Sequence, residues 1–266
     1  MGRVILITSG KGGVGKTTIT ANLGIMLATC GKKVCLIDGD IGLNNLDVVL
    51  GVENKVVYDL IDVATKKCRP IQALIQDDFL SNLFVLPCSK SISNSCVTKE
   101  IFYNIVTGIK DMFDFVLIDC PAGIGSGFEL SLCPAEEAFV VITPNISSVR
   151  DADKVVGILL SKKNINCSII INRIRGDLVA RKEMLSANDI ERLVKERVIG
   201  IIPESDELSI YNSFLTKFAS FKDRDVEVAF GILCKNIVNH KYDKFDYLSK
   251  YKGIIGLIRR NIKKRA

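Results

Sequence analysis

The sequence predicts a doubly wound α/β fold with a mostly parallel sheet of about seven or eight strands. Short apolar runs rich in β-branched residues recur along the chain. They are nearly continuous rather than alternating, as expected for strands that are buried on both faces of a parallel sheet. Stretches with helical spacing, such as 155–160 and 187–195, separate most of these runs. The predicted strands are 4–8, 34–38, 83–87, 115–119, 138–143, 168–172 and 198–202.

The composition is that of one large globular domain. The chain has 266 residues, of which 48% are hydrophobic and 25% are charged. No apolar run approaches the roughly 20 residues that span a bilayer, and Met1 leads almost directly into the first strand, so we expect neither a spanning helix nor a signal peptide. Nine cysteines are scattered without a CxxC pair. We therefore expect reduced cytosolic thiols rather than a metal or iron–sulfur site.

The positive charge of the chain is concentrated at its C-terminus. The formal net charge is +6, from 36 basic and 30 acidic residues. Seven of the basic residues and none of the acidic ones lie in 250–266. Without those seven residues the rest of the chain is nearly neutral, so the positive charge of the tail requires a separate explanation. We divide the chain into a globular domain over 1–240 and a linker with a basic tail over 241–266.

The first candidate site is a glycine-rich stretch between the first predicted strand and a helix predicted over 19–28. It fits the phosphate-binding pattern of Gly, four residues, Gly, Lys and then Ser or Thr. Glycines let successive N–H groups point at one phosphate, and the helix N-terminus adds partial positive charge. Lys16 would reach the β- and γ-phosphates, and the Thr17 hydroxyl would bind Mg²⁺. The alternative is a glycine-rich turn that fits by chance. The predicted binding residues are Gly10, Lys11, Gly12, Gly13, Val14, Gly15, Lys16, Thr17 and Thr18.

Three aspartates follow predicted strands at the same end of the sheet. Asp38 and Asp40 come at the end of the second strand, and Asp119 ends the apolar run of the fourth. Carboxylates beside a phosphate-binding loop suit Mg²⁺ and the attacking water. A simple strand-to-helix turn, in which aspartate and glycine are common, is the alternative for Asp38 and Asp40. The predicted magnesium residues are Thr17, Asp38, Asp40 and Asp119.

Lys11 places a second lysine in a loop where one ammonium already serves the phosphates. The run 11–18 resembles the deviant Walker A motif of the MinD/ParA ATPase family. This resemblance implies the P-loop NTPase fold, hydrolysis of ATP with Mg²⁺, and an ATP-dependent homodimer in which Lys11 reaches the partner's nucleotide. It also implies catalytic roles for Lys11, Lys16 and Asp40, with Asp40 positioning or activating water and Asp38 supporting the magnesium shell. A solvated loop lysine is the alternative for Lys11.

Further stretches are similar to the septum-site-determining MinD branch of this family. They are 40–47, 116–125 and 143–153, although Gly125 stands where the family usually has glutamate. In the last of these stretches a helix begins, and we expect its N-cap to be Ser147 or Ser148. The resemblance implies a surface near the dimer and partner-protein contacts, and a well-capped surface helix is the alternative.

Three more residues match positions that the family places around adenine: Asn172, Pro203 and Glu204. An amide side chain can donate and accept hydrogen bonds at once, which suits recognition of a base. An asparagine that merely caps the end of its strand is the alternative.

The sequence of the C-terminal tail predicts an amphipathic helix. From Tyr251 onward, apolar residues fall within one arc of roughly 160° and cations occupy the opposite side, which is typical of a helix lying in a membrane interface. A terminal helix packed on the domain, or a nucleic-acid-binding tail, is the alternative. The predicted membrane residues are Ile254, Ile255, Leu257, Ile258, Ile262, Arg259, Arg260, Lys263 and Lys264.

The resemblance implies a peripheral protein on the inner face of the cell membrane that positions the division septum. Its implied partners are an anionic membrane surface, a division inhibitor (MinC) and an ATPase activator (MinE or a counterpart), and no specific nucleic acid is expected. Two alternatives stay open: a flagellar-number regulator of the FlhG type and a ParA-type DNA-segregation ATPase. The nearly neutral body and the aliphatic tail argue against the second.

Overall fold

The computed structural model describes residues 2–42, 45–88, 96–162, 165–206, 208 and 223–251. Its strands form one sheet in the order β3-β4-β2-β5-β1-β6-β7-β8. Every neighbouring pair is parallel except β3 with β4. The strands are β1 Arg3–Thr8, β2 Val34–Asp38, β3 Ile75–Gln76, β4 Leu83–Leu86, β5 Phe115–Asp119, β6 Glu137–Ile142, β7 Asn166–Ile174 and β8 Val198–Pro203.

Helices lie on both faces of this sheet, as in a doubly wound fold. In the described ranges, 3₁₀ turns at Glu53–Lys55 and Ser249–Tyr251 accompany them. The α-helices of the same ranges are α1 Lys16–Thr29, α2 Leu46–Leu50, α3 Leu60–Ala64, α4 Pro70–Ala73, α5 Lys99–Lys110, α6 Ser126–Leu132, α7 Ile146–Ser161, α8 Gly176–Ala180, α9 Ala187–Val194 and α10 Arg224–Asn239.

Alternate residues of the central strands pack into two separate hydrophobic cores, one on each face of the sheet. Ile5 and Ile7 of β1 pack on the face covered by α1 and α10, whereas Val4 and Leu6 pack on the face covered by α5 and α7. Helix α1 contributes Ile19, Leu23 and Leu27, which recur every four residues and are fully buried. Each such side chain contributes about 1.5–3 kcal/mol on burial, so α1 is held firmly against the central strands.

The strand register brings the predicted carboxylates together. Asp38 at the end of β2 pairs with Asp119 at the end of β5, and Asp119 also pairs with Ile7 of β1. The glycine-rich loop leaves β1 just beyond this point. The site therefore lies at the carboxyl end of the central strands, where ligands bind in open α/β sheets.

The predicted fold class is confirmed, and the differences have local causes. All seven predicted strands occur, with β7 longer at both ends. Within the described part of the chain the prediction omits one strand, β3, a two-residue antiparallel edge strand. Such a strand is too short to show periodicity. Helix α1 begins at Lys16 instead of residue 19, because the phosphate-binding loop passes directly into the helix.

The predicted N-cap of α7 is wrong. Asn145, not Ser147 or Ser148, caps this helix, and its side-chain oxygen accepts a hydrogen bond from the N–H of Ser148 at 2.9 Å. Ser148 instead is buried, and its hydroxyl accepts the N–H of Thr143 at 3.1 Å. Asparagine caps helices as well as serine does, so residue type alone did not separate these candidates.

Beyond α10 the chain packs back onto the domain as far as residue 251. Asn236 donates to the carbonyl oxygen of Asp243 at 2.8 Å, and the Tyr247 hydroxyl accepts the N–H of Ala187 at 3.1 Å. The division of the chain at residue 240 stays a prediction. None of the helices in the described ranges has an apolar stretch sufficient to span a bilayer. The predicted membrane residues, all between 254 and 264, lie outside the described residues.

Candidate nucleotide-binding site

The glycine-rich loop takes a backbone shape that requires glycine. Gly13 and Gly15 have φ values of 76° and 95°, in the left-handed region. Gly15 is the N-cap of α1, and a Cβ there would lie 2.4 Å from the Nδ2 atom of Asn172. A side chain at this position would therefore be strained and would also clash. The loop ends with the N-terminus of α1 directed at the site, where an anion is stabilised.

Lys16 is a buried cation at the first position of α1. It is only 9% exposed, and no salt bridge joins it to a carboxylate within the described ranges. Burying an ammonium group is costly unless an anion accompanies it. A phosphate group in the loop would supply that anion, so the loop and Lys16 fit a nucleotide.

Asp119 is a buried carboxylate that two hydroxyl groups of α1 hold in place. It accepts hydrogen bonds from the hydroxyls of Thr17 at 2.6 Å and of Thr20 at 3.2 Å. Burial, with a smaller contribution from the nearby charge of Asp38, raises the pKa of Asp119 to about 7, although the hydrogen bond from Thr17 opposes the shift. Two predicted magnesium residues, Thr17 and Asp119, are thus in direct contact.

Asp38 is equally buried but is held by backbone groups. It accepts the N–H groups of Asp40 at 3.0 Å and of Asn45 and Leu46 at 3.3 Å. Burial raises the pKa of Asp38 to about 6, although these donors lower it. A divalent cation between Asp38 and Asp119 would relieve the repulsion between their charges. Oxygen donors are also what Mg²⁺ prefers, so the residues fit this ion.

Asp40 and Lys11 are more accessible than these buried residues. Asp40 is half-buried, and its pKa is raised by burial and lowered in part by the charge of Lys16. Lys11 is exposed, and its carbonyl oxygen accepts the hydroxyl of Ser9 at 2.7 Å. Asp40 also lines a cleft with Ala122 and Gly125 of the loop that follows β5. The catalytic roles of Lys11, Lys16 and Asp40 stay predictions.

The residues predicted to flank adenine meet beside the loop. Thr18, Asn172, Pro203 and Glu204 line one small cavity. Asn172 is buried, and its Nδ2 donates to the carbonyl oxygen of Val14 at 2.8 Å. This asparagine therefore fixes the phosphate-binding loop to β7, in addition to any role at a base, and the adenine contacts stay predictions.

Thr20 is a site residue that the sequence interpretation missed. Its hydroxyl is buried and contacts Asp119, and it also lies 3.0 Å from the carbonyl oxygen of Lys16. Residues three apart on a helix share a face, so the position of Thr20 relative to Thr17 is the signal that could have identified it.

A β-strand, a left-handed glycine turn and a helix that starts with a buried lysine define the class of P-loop nucleotide-binding proteins. The family described as CobQ/CobB/MinD/ParA nucleotide binding domain matches residues 5–215. The septum site-determining protein MinD of Synechocystis is 40% identical over 263 residues, which cover 98% of this chain and 99% of that protein. The chain belongs to the MinD group of this nucleotide-binding family.

Solved structures agree with this assignment. The chain is similar to MinD in the MinC:MinD cell division protein complex of Aquifex aeolicus, with 40% identity, a TM-score of 0.83 and coverage of 91% of this chain and 97% of that one. It is also similar to MinD of Pyrococcus horikoshii complexed with Mg-ADP, with 30% identity, a TM-score of 0.80 and coverage of 89% and 96%. Nucleotide binding and cell division are thus the properties of its relatives.

Proposed function

We propose that this protein is a Mg²⁺-dependent ATPase that dimerises with ATP, attaches to an anionic membrane through its C-terminal tail and positions the division septum by recruiting an inhibitor of the MinC type. The observation that carries the proposal is the contact between Thr17 and Asp119 beside the buried Lys16. Similarity to MinD over nearly the whole chain supports the cellular role.

The candidate site residues would have different roles at the triphosphate. Backbone N–H groups of the loop and Lys16 would bind the phosphates, and Thr17, Asp38, Asp40 and Asp119 would hold Mg²⁺, directly or through water. The ion supplies neutralising charge at the phosphate oxygens. Asp40 is half-buried and near Lys16, which suits it to orient a water molecule. Lys11, exposed on the loop, is free to reach the nucleotide of a second subunit.

Dimerisation would control membrane attachment through avidity. A single amphipathic tail gains about 1 kcal/mol for each cation near an anionic surface but loses conformational freedom on ordering. Two tails on one dimer make the second insertion intramolecular, which raises avidity by roughly 10²–10⁴. ATP hydrolysis, stimulated by an activator such as MinE or a counterpart, would then release the protein from the inner face of the membrane.

Sedimentation with anionic vesicles and, separately, with duplex DNA tests this cycle. We expect the protein to pellet with vesicles in ATP but not in ADP, and not to be retained on DNA. Vesicle binding that does not depend on the nucleotide would contradict the proposed switch. Retention on DNA without vesicle binding would instead favour a segregation ATPase of the ParA type.

Substitution of the two loop lysines separates their roles. Lys16→Ala should abolish ATP binding or turnover, because it removes the cation at the phosphates. Lys11→Ala should retain ATP binding and lower the maximal hydrolysis rate by at least about 100-fold, the loss expected when a charge at the transferring phosphoryl group is removed. Calorimetry and a phosphate-release assay measure the two effects. Lys154→Ala, which changes an exposed lysine of α7, is the control, and a Lys11→Ala rate equal to the control rate would refute the role in the partner site.

A further inference from the structure

Two cysteines from distant parts of the sequence meet on the face opposite α5 and α7. Cys30 follows directly after α1, and Cys234 lies in α10. Their sulfur atoms are 3.6 Å apart, although the residues are separated by 204 positions. We refer to Cys30 and Cys234 as the thiol pair. Both are free cysteines in this structure, and the nucleotide chemistry proposed above uses neither of them.

The two thiols have unequal access to solvent. Cys30 is exposed, whereas Cys234 is only 1% exposed. Burial raises the pKa of Cys234 to about 12, while the charges of Lys235 and Lys32 oppose this shift. An oxidant would therefore meet Cys30 first, and Cys234 would lie beside it as the second thiol. Redox-sensitive sites commonly consist of such an accessible thiol next to a resolving one.

We propose that the thiol pair is a redox site that forms a reversible disulfide when the protein meets a peroxide. In the first step the Cys30 thiolate attacks one peroxide oxygen of hydrogen peroxide, the O–O bond breaks, and the products are a sulfenic acid and hydroxide. In the second step the sulfur of Cys234 attacks the Cys30 sulfur, the S–O bond breaks, and the oxygen leaves with the thiol proton as water. The peroxide is reduced, and the two thiols are oxidised.

The disulfide would tie together two helices that flank the same core. Helix α1 begins at Lys16 in the phosphate-binding loop, and α10 leads into the segment that packs back on the domain. Because α1 spans about 20 Å, the bond would form far from the loop and would leave it accessible. It would cross-link distant parts of the chain, which restricts the unfolded state most when the closed loop is long.

Mass spectrometry of the full-length protein tests the proposal. After treatment with hydrogen peroxide, we expect the intact mass to fall by about 2 Da. Alkylation in denaturant should then modify seven of the nine cysteines and leave one cross-linked peptide that joins Cys30 to Cys234. Dithiothreitol should restore alkylation of all nine. The oxidised protein should also melt on the order of 5–10 °C higher than the reduced one.

Three controls test whether the cross-link and the melting shift depend on the contact between Cys30 and Cys234. Cys30→Ser should abolish both the cross-link and the melting shift, and Cys133→Ser, which changes another exposed cysteine, should leave both unchanged. Oxidation of the protein in urea should remove the preference for this pair. A native protein in which Cys30 is oxidised only to sulfenic or sulfinic acid, or is joined to a different cysteine, would overturn the proposal. So would a cross-linked protein that melts below the reduced one.

Discussion

At the scale of single residues, the polar groups of the site constrain one another before any ligand enters. Asp119 is 3% exposed and is held by two threonine hydroxyls of α1, those of Thr17 and Thr20. Hydrogen bonds to charged groups contribute about 1.5–3 kcal/mol each. These contacts therefore set the rotamer of the carboxylate, and Thr20 acts as a positioning residue for it.

We expect Thr20→Val to weaken magnesium dependence without removing activity. Asp119 would keep its shorter hydrogen bond from Thr17 but lose the one from Thr20. Loss of a hydrogen bond to a residue that binds a metal typically costs about 10-fold in metal affinity. A titration of ATP hydrolysis against Mg²⁺ should show the half-saturating concentration rising by about this factor.

Thr29→Val is the matched control for this substitution. In both threonines the hydroxyl lies within hydrogen-bond distance of the carbonyl oxygen four residues earlier in α1, but Thr29 is exposed and far from the site. The control should have the magnesium curve of the unchanged protein. Identical curves for Thr20→Val and Thr29→Val would show that Thr20 does not position Asp119.

At the scale of secondary-structure elements, helix ends place the functional loops. Helix α1 begins at the site because Gly15 turns the chain in the left-handed region, and Gly15 has no side chain that could cap the helix. In helix α7, by contrast, the side chain of Asn145 accepts a hydrogen bond from the N–H group of Ser148 in the first turn. The N-terminus of α1 thus has no side-chain cap from its N-cap residue, whereas that of α7 is capped by Asn145.

Asn145→Ala should lower the free energy of unfolding by about 1 kcal/mol, the usual cost of losing an N-cap. The side chain accepts the N–H of Ser148 and also donates to the hydroxyl of Thr143 at 2.8 Å. Ser147→Ala is the comparison, because Ser147 is exposed in the first turn of the same helix. We expect this second change to stay within about 0.5 kcal/mol. Urea unfolding measures both, and equal losses would contradict the assignment of the cap.

At the scale of the whole molecule, residues 241–251 belong to the packed body. Asn236 bonds both the carbonyl oxygen of Ile199 and the backbone of Asp243, which joins α10, β8 and this segment. Tyr251 packs against Gly176, where a Cβ would lie 2.8 Å from its ring. These contacts hold the chain on the body as far as residue 251, where the predicted amphipathic helix begins.

Truncation of the C-terminus separates the packed segment from the tail. A chain that ends at residue 251 should melt within about 2 °C of the full-length protein, because the contacts of the body are retained. A chain that ends at residue 240 should melt several degrees lower, on the order of 5 °C, because it loses the bonds made by Asp243 and Tyr247. Calorimetry of the three chains provides the comparison. Equal melting of the two shortened chains would show that 241–251 contributes no stability.

The strand positions, the loop and the aspartates follow from the sequence by itself. Apolar runs mark buried strands wherever they lie, and the glycine-lysine pattern of 10–18 requires a particular backbone shape that neighbouring residues already specify. The meeting of Asp38 and Asp119 could also be expected, since parallel strands end at the same edge.

Only the tertiary structure decided which distant groups touch. The strand order, the bond from Asn172 to the loop, the second donor to Asp119, the contact of Tyr247 with Ala187 and the thiol pair all join residues that are far apart in sequence. The physical reason is that periodicity and turn chemistry act over a few neighbouring residues. The contact between Cys30 and Cys234, by contrast, depends on how two whole helices pack side by side on one face of the sheet.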